Sequence, residues 1–245
     1  MNTFSNNFIK DEANVTLLRE TMWGPNGIRQ AEELASHFPI TRDMRILDLG
    51  AGLGLSALYL VKEHGCEVYS TDSYADPTDN YKRFQTLGIA DKTVPMIVDA
   101  TKPLPFAKRY FDVLFSIGAY NLFADNKDAL TELATYVKSG GYIAAAFPGL
   151  KYDFGNDVPE EMKPFWEAPD VARTVRGIDW WQELWSHAEG IEIIEVSEMA
   201  CNDIAWEEYL AIQDSNTEEG AWVLDMMKAE AGKYYNTIQL VAKVL

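Results

Sequence analysis

Three alternate glycines, Gly50, Gly52 and Gly54, follow a short apolar run that ends at Leu49, and a helical pattern starts near Ser56. Alternate glycines allow a tight turn and let the backbone approach a ligand that any Cβ would block. The dinucleotide spacing G-x-G-x-x-G would need a glycine where Leu55 stands, so the loop, with Ala51 inside it, speaks against NAD. Asp48, two residues before Gly50, would do nothing for a pyrophosphate. It suits a ligand with an ammonium group close by, such as the methionine part of S-adenosylmethionine. A second acid, Asp72, closes the next apolar run, with Ser73 beside it, where a carboxylate can accept both hydroxyls of a ribose. A third, Asp99, follows the third run, with Ala100 next to it, at the rim where an adenine edge would lie. Each acid alone is an ordinary turn residue. Three at successive strand ends, beside the glycines, describe one binding site.

Placing these groups together requires a particular scaffold. Arg45 to Leu49, Glu67 to Thr71, Thr93 to Val98, Phe111 to Ile117 and Tyr142 to Phe147 are short apolar runs bounded by Gly, Asp or Pro, and read as buried strands. Between them, Ser56 to Glu63, Asp79 to Leu87 and Asn126 to Tyr136 repeat apolar residues at three and four positions, as amphipathic helices do. Ile191 to Val196 and Thr237 to Val244 read as two late strands, with helical stretches near Ile204 to Gln213 and Glu218 to Lys233. This alternation predicts an α/β doubly wound, Rossmann-like, seven-stranded and mostly parallel sheet with helices on both faces, whose ligands bind at the carboxyl ends of the strands. A single domain is expected over 1–245. Residues 1–40 form a helical cap, with Pro25 opening a helix; 41–150 form the cofactor core; 151–245 form an acceptor-side helical insertion and the last two strands.

Net charge and composition narrow the partners. The formal charge is −17, and from Lys151 onward 20 Asp plus Glu stand against 7 Lys plus Arg. A phosphate-gripping surface needs the opposite balance, so neither nucleic acid nor an anionic membrane is expected as partner. No run approaches the roughly 20 apolar residues of a membrane span, and Met1 to Asp11 lacks the features of a secretory signal, so the expected location is the cytoplasm. Cys66 and Cys201, with His37, His64 and His187, show no metal-ligand spacing, and no metal is expected.

The segment Leu47 to Gly54 resembles the cofactor signature of class I S-adenosylmethionine-dependent methyltransferases. Asp99-Ala100, Leu104-Pro105-Phe106 and Phe111 to Ser116 resemble the second block of the group related to ubiquinone and menaquinone methyltransferases. Leu130 to Leu133 and Ser139-Gly140-Gly141 resemble the helix and turn before that group's fifth strand, and the likeness covers roughly residues 42–149. It implies S-adenosyl-L-methionine as cofactor. Gly50, Gly52 and Gly54 would line its methionine portion, Asp72 would hold the ribose, Asp99 and Ala100 would meet the adenine, and Ser116 would lie beside the cofactor. Met22-Trp23-Gly24-Pro25-Asn26 resembles a loop that closes over the cofactor in bacterial small-molecule members, which gives Trp23 a cofactor contact. Ser116 to Asn121 lacks the Asn/Asp-Pro-Pro-aromatic motif of amino-group methylation on bases, and Ser139 replaces a usual proline.

A sulfonium methyl is already electrophilic, so alignment and exclusion of water come first and no nucleophilic residue is needed. If the acceptor required a base, Tyr120 and His187 are the candidates, although Tyr120 also suits a pocket wall and His187 a helix C-terminus. Trp166, Trp180, Trp181 and Trp185 make either an acceptor pocket or plain core. Methyl transfer to a small-molecule acceptor is the expected function. The alternatives are methylation of a protein side chain and cofactor binding without turnover. The sequence leaves open the acceptor, the atom methylated and the oligomeric state.

Overall fold

The computed structural model describes residues 3–155, 157–166 and 169–245; the first two residues and three positions of the tryptophan-rich insertion lie outside this range. Seven strands form one sheet: β1 (Arg45–Leu49), β2 (Glu67–Asp72), β3 (Thr93–Ile97), β4 (Phe111–Ile117), β5 (Val137–Leu150), β6 (Ile191–Glu198) and β7 (Tyr235–Val244). Their order is β3-β2-β1-β4-β5-β7-β6. β1 to β5 run parallel, and β7 enters antiparallel between β5 and β6. This is the doubly wound α/β arrangement, and the sheet order reverses beside β1, where such folds open a crevice.

Side chains alternate across the sheet. Ile46, Val113, Phe115, Ala144 and Ala146 enter one apolar cluster, while Leu47, Leu114, Ile143, Ala145 and Phe147 enter the other. Helices α1 (Thr3–Phe8), α2 (Glu12–Thr21), α3 (Gly27–Ala35), α4 (Leu55–Tyr59) and α5 (Pro77–Leu87) precede β3. α3 drives Ile28, Ala31 and Leu34 into the first cluster. Asn26 caps it by accepting from the Ile28 amide at 2.9 Å, so Pro25 lies before the cap and not at the first helical position. α4 runs on into a π turn, Leu60–His64, filling the predicted helix. α5 starts at Pro77 under an Asp76 cap. α6 (Ala129–Ala134) and α9 (Ile178–Trp185) cover the second face. The insertion also contains α7 (Lys163–Trp166) and α8 (Pro169–Thr174), and α10 (Asn202–Leu210) and α11 (Glu218–Glu230) separate the last strands.

β5 is longer than the expected 142–147. Val137 already pairs with Phe111, and the register shifts before Tyr142 meets Val113. Gly140 and Gly141 therefore form an irregularity inside the strand, not a turn before it. A Cβ on Gly141 would sit 2.4 Å from the Asp112 carbonyl oxygen, so close backbone approach demands glycine there.

Candidate functional site

β1 ends at the glycine loop. The Gly50 and Ala51 amides both donate to the Thr71 carbonyl at 2.9 Å, folding the loop against the end of β2. A Cβ on Gly50 would fall 2.2 Å from that of Ala119, so the loop can touch the segment after β4 only through glycine. The Gly52 amide donates to Asp72 Oδ2 at 2.9 Å, and Asp72 Oδ1 accepts from Tyr74 and Ala75 at 2.8 and 3.0 Å. Three backbone donors fix this carboxylate, yet a carboxylate offers about four acceptor positions, so it can still accept from a ligand.

Above the loop lies a cavity of about 400 Å³. Gly50 to Leu53, Leu55, Ser56, Asp72 and Ile117 to Ala119 line one end, and Met22 to Pro25 form its cover. The Trp23 ring would lie 3.6 Å from a Cβ at Gly52, while 63 % of its surface stays exposed. The other end is built from Pro148, Phe165, Trp206, Trp222 and Met226, with Tyr235, Asn236 and Thr237 on β7. Glu230 fixes this start of β7: its carboxylate accepts from the amides of Gly232, Tyr234 and Tyr235.

Residues 47–145 match the family model described as a methyltransferase domain. Over this stretch the chain is similar to methyltransferase domains. The chain is 32 % identical over 142 residues to malonyl-[acyl-carrier protein] O-methyltransferase of Enterobacter lignolyticus, a match covering 58 % of this chain and 51 % of the relative. It is 23 % identical over 175 residues to methyltransferase GfsG of Streptomyces halstedii, covering 71 % of this chain and 62 % of the relative. Each match thus spans less than two thirds of the relative's own length. Among solved structures, geranyl diphosphate C-methyltransferase of Streptomyces coelicolor A3(2), in complex with Mg2+, geranyl diphosphate and S-adenosyl-L-homocysteine, superposes with a TM-score of 0.68. Its sequence identity is 14 %, over 88 % of this chain and 78 % of that one, which establishes a common fold.

Gly50, Ala51, Gly52, Asp72 and Trp23 of the predicted site meet at the cavity. The others do not line it. Asp48 is fully buried one layer below, where its Oδ2 accepts from the Ser56 hydroxyl at 2.6 Å and its Oδ1 has no partner. It reaches the cavity wall through Ser56. Burial pushes its carboxyl up to about 7, against the lowering effect of the Ser56 hydrogen bond, and the Asp72 charge adds to the rise. Gly54, in left-handed backbone at φ 91°, is glycine because a Cβ would strike the Phe84 ring at 2.3 Å. Ser116 is buried and donates to the Leu49 carbonyl at 2.8 Å, tying β4 to β1. Asp99 turns to its own loop, accepting from Thr101 and pairing with Lys102 at 2.8 Å, contacts that hold its carboxyl down to about 2. Ala100 packs with the second apolar cluster, and Ser73 is exposed.

Both candidate bases are displaced from the cavity. Tyr120 does not line the cavity: it is buried between Phe147, Trp181 and Trp185, and burial raises its phenol far above neutral pH. His187 is exposed past the end of α9, 3.8 Å from Glu183. Trp181 and Trp185 are core, and Trp166 packs on Phe154. The tryptophans that line the cavity away from the glycine loop, Trp206 and Trp222, come from α10 and α11, whose weak apolar periodicity gave no sign of which face turns inward.

Proposed function

We infer that this chain transfers the methyl group of S-adenosylmethionine to a small-molecule acceptor. The observation that carries the reading is a single cavity with a backbone-rich, carboxylate-bearing end at the glycine loop and an apolar, aromatic end beyond it. Asp72 would take the ribose hydroxyls, and the Gly50 to Gly52 backbone would lie along the methionine portion. Asp48, with an unpartnered oxygen and a carboxyl that burial raises to about 7, would give up its proton as the ammonium arrives above it. The cofactor supplies an electrophilic methyl group on its sulfonium. The chain's part is to hold donor and acceptor in line and to keep water out, the latter by Met22 to Pro25. A cavity of about 400 Å³ with an apolar, aromatic end suits a small acceptor. A location in the cytoplasm fits the two free, buried cysteines, and no helix among the described residues is long and apolar enough to cross a membrane.

Calorimetry tests the reading: S-adenosylmethionine and S-adenosylhomocysteine should bind far more tightly than NAD. Asp72→Ala should weaken that binding by about 2 to 4 kcal/mol, the loss of charge-assisted hydrogen bonds. Gly52→Val should abolish it with the fold intact. Binding of NAD alone would reject the assignment, and mass spectrometry of a methylated small product would separate turnover from binding without reaction.

A further inference from the structure

Asp72 is the sole formally charged side chain among the described residues that line the cavity, and it stands at the cofactor end. The acceptor end has aromatic and aliphatic walls, and its polar side chains, among them Gln30, Tyr235, Asn236 and Thr237, are neutral. Each acceptor chemistry makes a different demand on such walls. A carboxylate, phenolate, thiolate or phosphate would have to leave water without a cation to meet it, which is costly. An alcohol or a carbon acid needs a base to remove its proton. Tyr235 does not serve, since its hydroxyl donates to Met226 Sδ at 3.7 Å, and burial, then the Glu230 charge, push its phenol up to about 12. Among the described residues no group of three or more His, Cys, Asp or Glu could hold a metal that would take over either task.

A neutral amine meets these walls without a further group. We propose that the acceptor is an amine on an aromatic or branched apolar body, methylated at nitrogen and seated against Trp206 and Trp222. The proposal rests on the methyltransferase reading above. In the step, the nitrogen lone pair forms the new bond to the methyl carbon, and the carbon–sulfur bond breaks with its electron pair going to sulfur. The positive charge passes from sulfur to nitrogen, so the cavity never has to hold a new net charge. Where the amine still carries hydrogen, the ammonium product releases that proton to water after leaving. Indole faces attract the nascent ammonium. Trp222, packed edge-on against Phe165 with ring centroids 5.7 Å apart and 45 % exposed, stands where such a cation would enter and leave. A thioether would also avoid base and counter-ion, but it accepts hydrogen bonds poorly and would make no use of Asn236 or Thr237.

The test uses the full chain with S-adenosylhomocysteine bound. Benzyltrimethylammonium, shaped like a methylated amine, should bind at least tenfold more tightly than its uncharged isostere neopentylbenzene, and benzoate should not bind, as read by tryptophan fluorescence. Trp222→Leu should cost the ammonium at least fivefold in affinity and leave S-adenosylhomocysteine binding unchanged. In turnover, N,N-dimethylbenzylamine should react at least tenfold faster than benzyl alcohol or thiophenol, at a rate that rises with pH through the amine's own pKa. Failure of S-adenosylhomocysteine to bind would sink the methyltransferase reading itself. Its binding without a preference for the ammonium, or faster methylation of the alcohol or thiol, would overturn the amine proposal alone.

Discussion

Asp48 makes the protein's stability depend on pH in a way that can be worked out in advance. Its carboxyl titrates at about 7 when folded, against an ordinary value of 3.8. Between those values the folded protein keeps a proton that the unfolded chain has lost. Stability from this group therefore falls as pH rises from about 4 to 7, by roughly 1.4 kcal/mol per pH unit at most, and levels off above. Asp48→Asn should flatten that slope and be at least as stable as the parent at pH 8, measured by urea unfolding across the range; an unchanged slope would place the proton elsewhere. The meeting of Asp72 and the glycine loop at one cavity was legible in the sequence, because strand ends announce themselves by the switch from apolar run to Gly and Asp. The burial of Asp48 beneath Ser56 was not, since the serine arrives from the following helix. Tyr120 and His187 were named for their chemistry, and chemistry says nothing about which side of a sheet a residue faces.

At the scale of elements, the cover and the acceptor wall are tied together. The Asn26 amide donates to the Ala205 carbonyl at 3.0 Å, and its side chain donates to Glu208 at 2.7 Å. Arg29, fully buried on α3, pairs with the same Glu208 at 2.6 Å and also reaches Ser5 and Asn6. Glu208 sits on α10 two residues after Trp206, so the segment that closes one end of the cavity shares a carboxylate with a helix that builds the other. Glu208→Gln takes away the carboxylate paired with buried Arg29, leaving Glu32 as a nearby charge, and should destabilise the fold by about 3 kcal/mol. Hydrogen exchange over residues 15–30 should slow when S-adenosylhomocysteine binds the parent, and slow much less in the variant. Equal protection with and without ligand in the parent would mean a static cover. None of this coupling could be read from sequence, because the partners lie 179 residues apart and neither belongs to a motif.

For the molecule as a whole, seven strands and the helices between the first five followed from the alternation of apolar runs, but the order of the last two strands did not. β6 and β7 look alike as apolar runs, and only the pairing shows that β7 lies inside the sheet while β6 takes the edge. The consequence falls on the newly made chain. During synthesis, Ile191–Glu198 leaves the ribosome before the strand it pairs with, and a nascent β-edge with free backbone groups invites pairing with a neighbouring chain. Glu192, Glu195 and Glu198 punctuate that segment, as gatekeeper charges do. Replacing Glu192 and Glu195 by threonine should change the unfolding midpoint of the purified protein little, yet send a larger fraction of freshly translated chains into the pellet on centrifugation. An unchanged soluble fraction would mean that these glutamates serve only the finished surface, and that the waiting strand is shielded by something else on its way to the sheet.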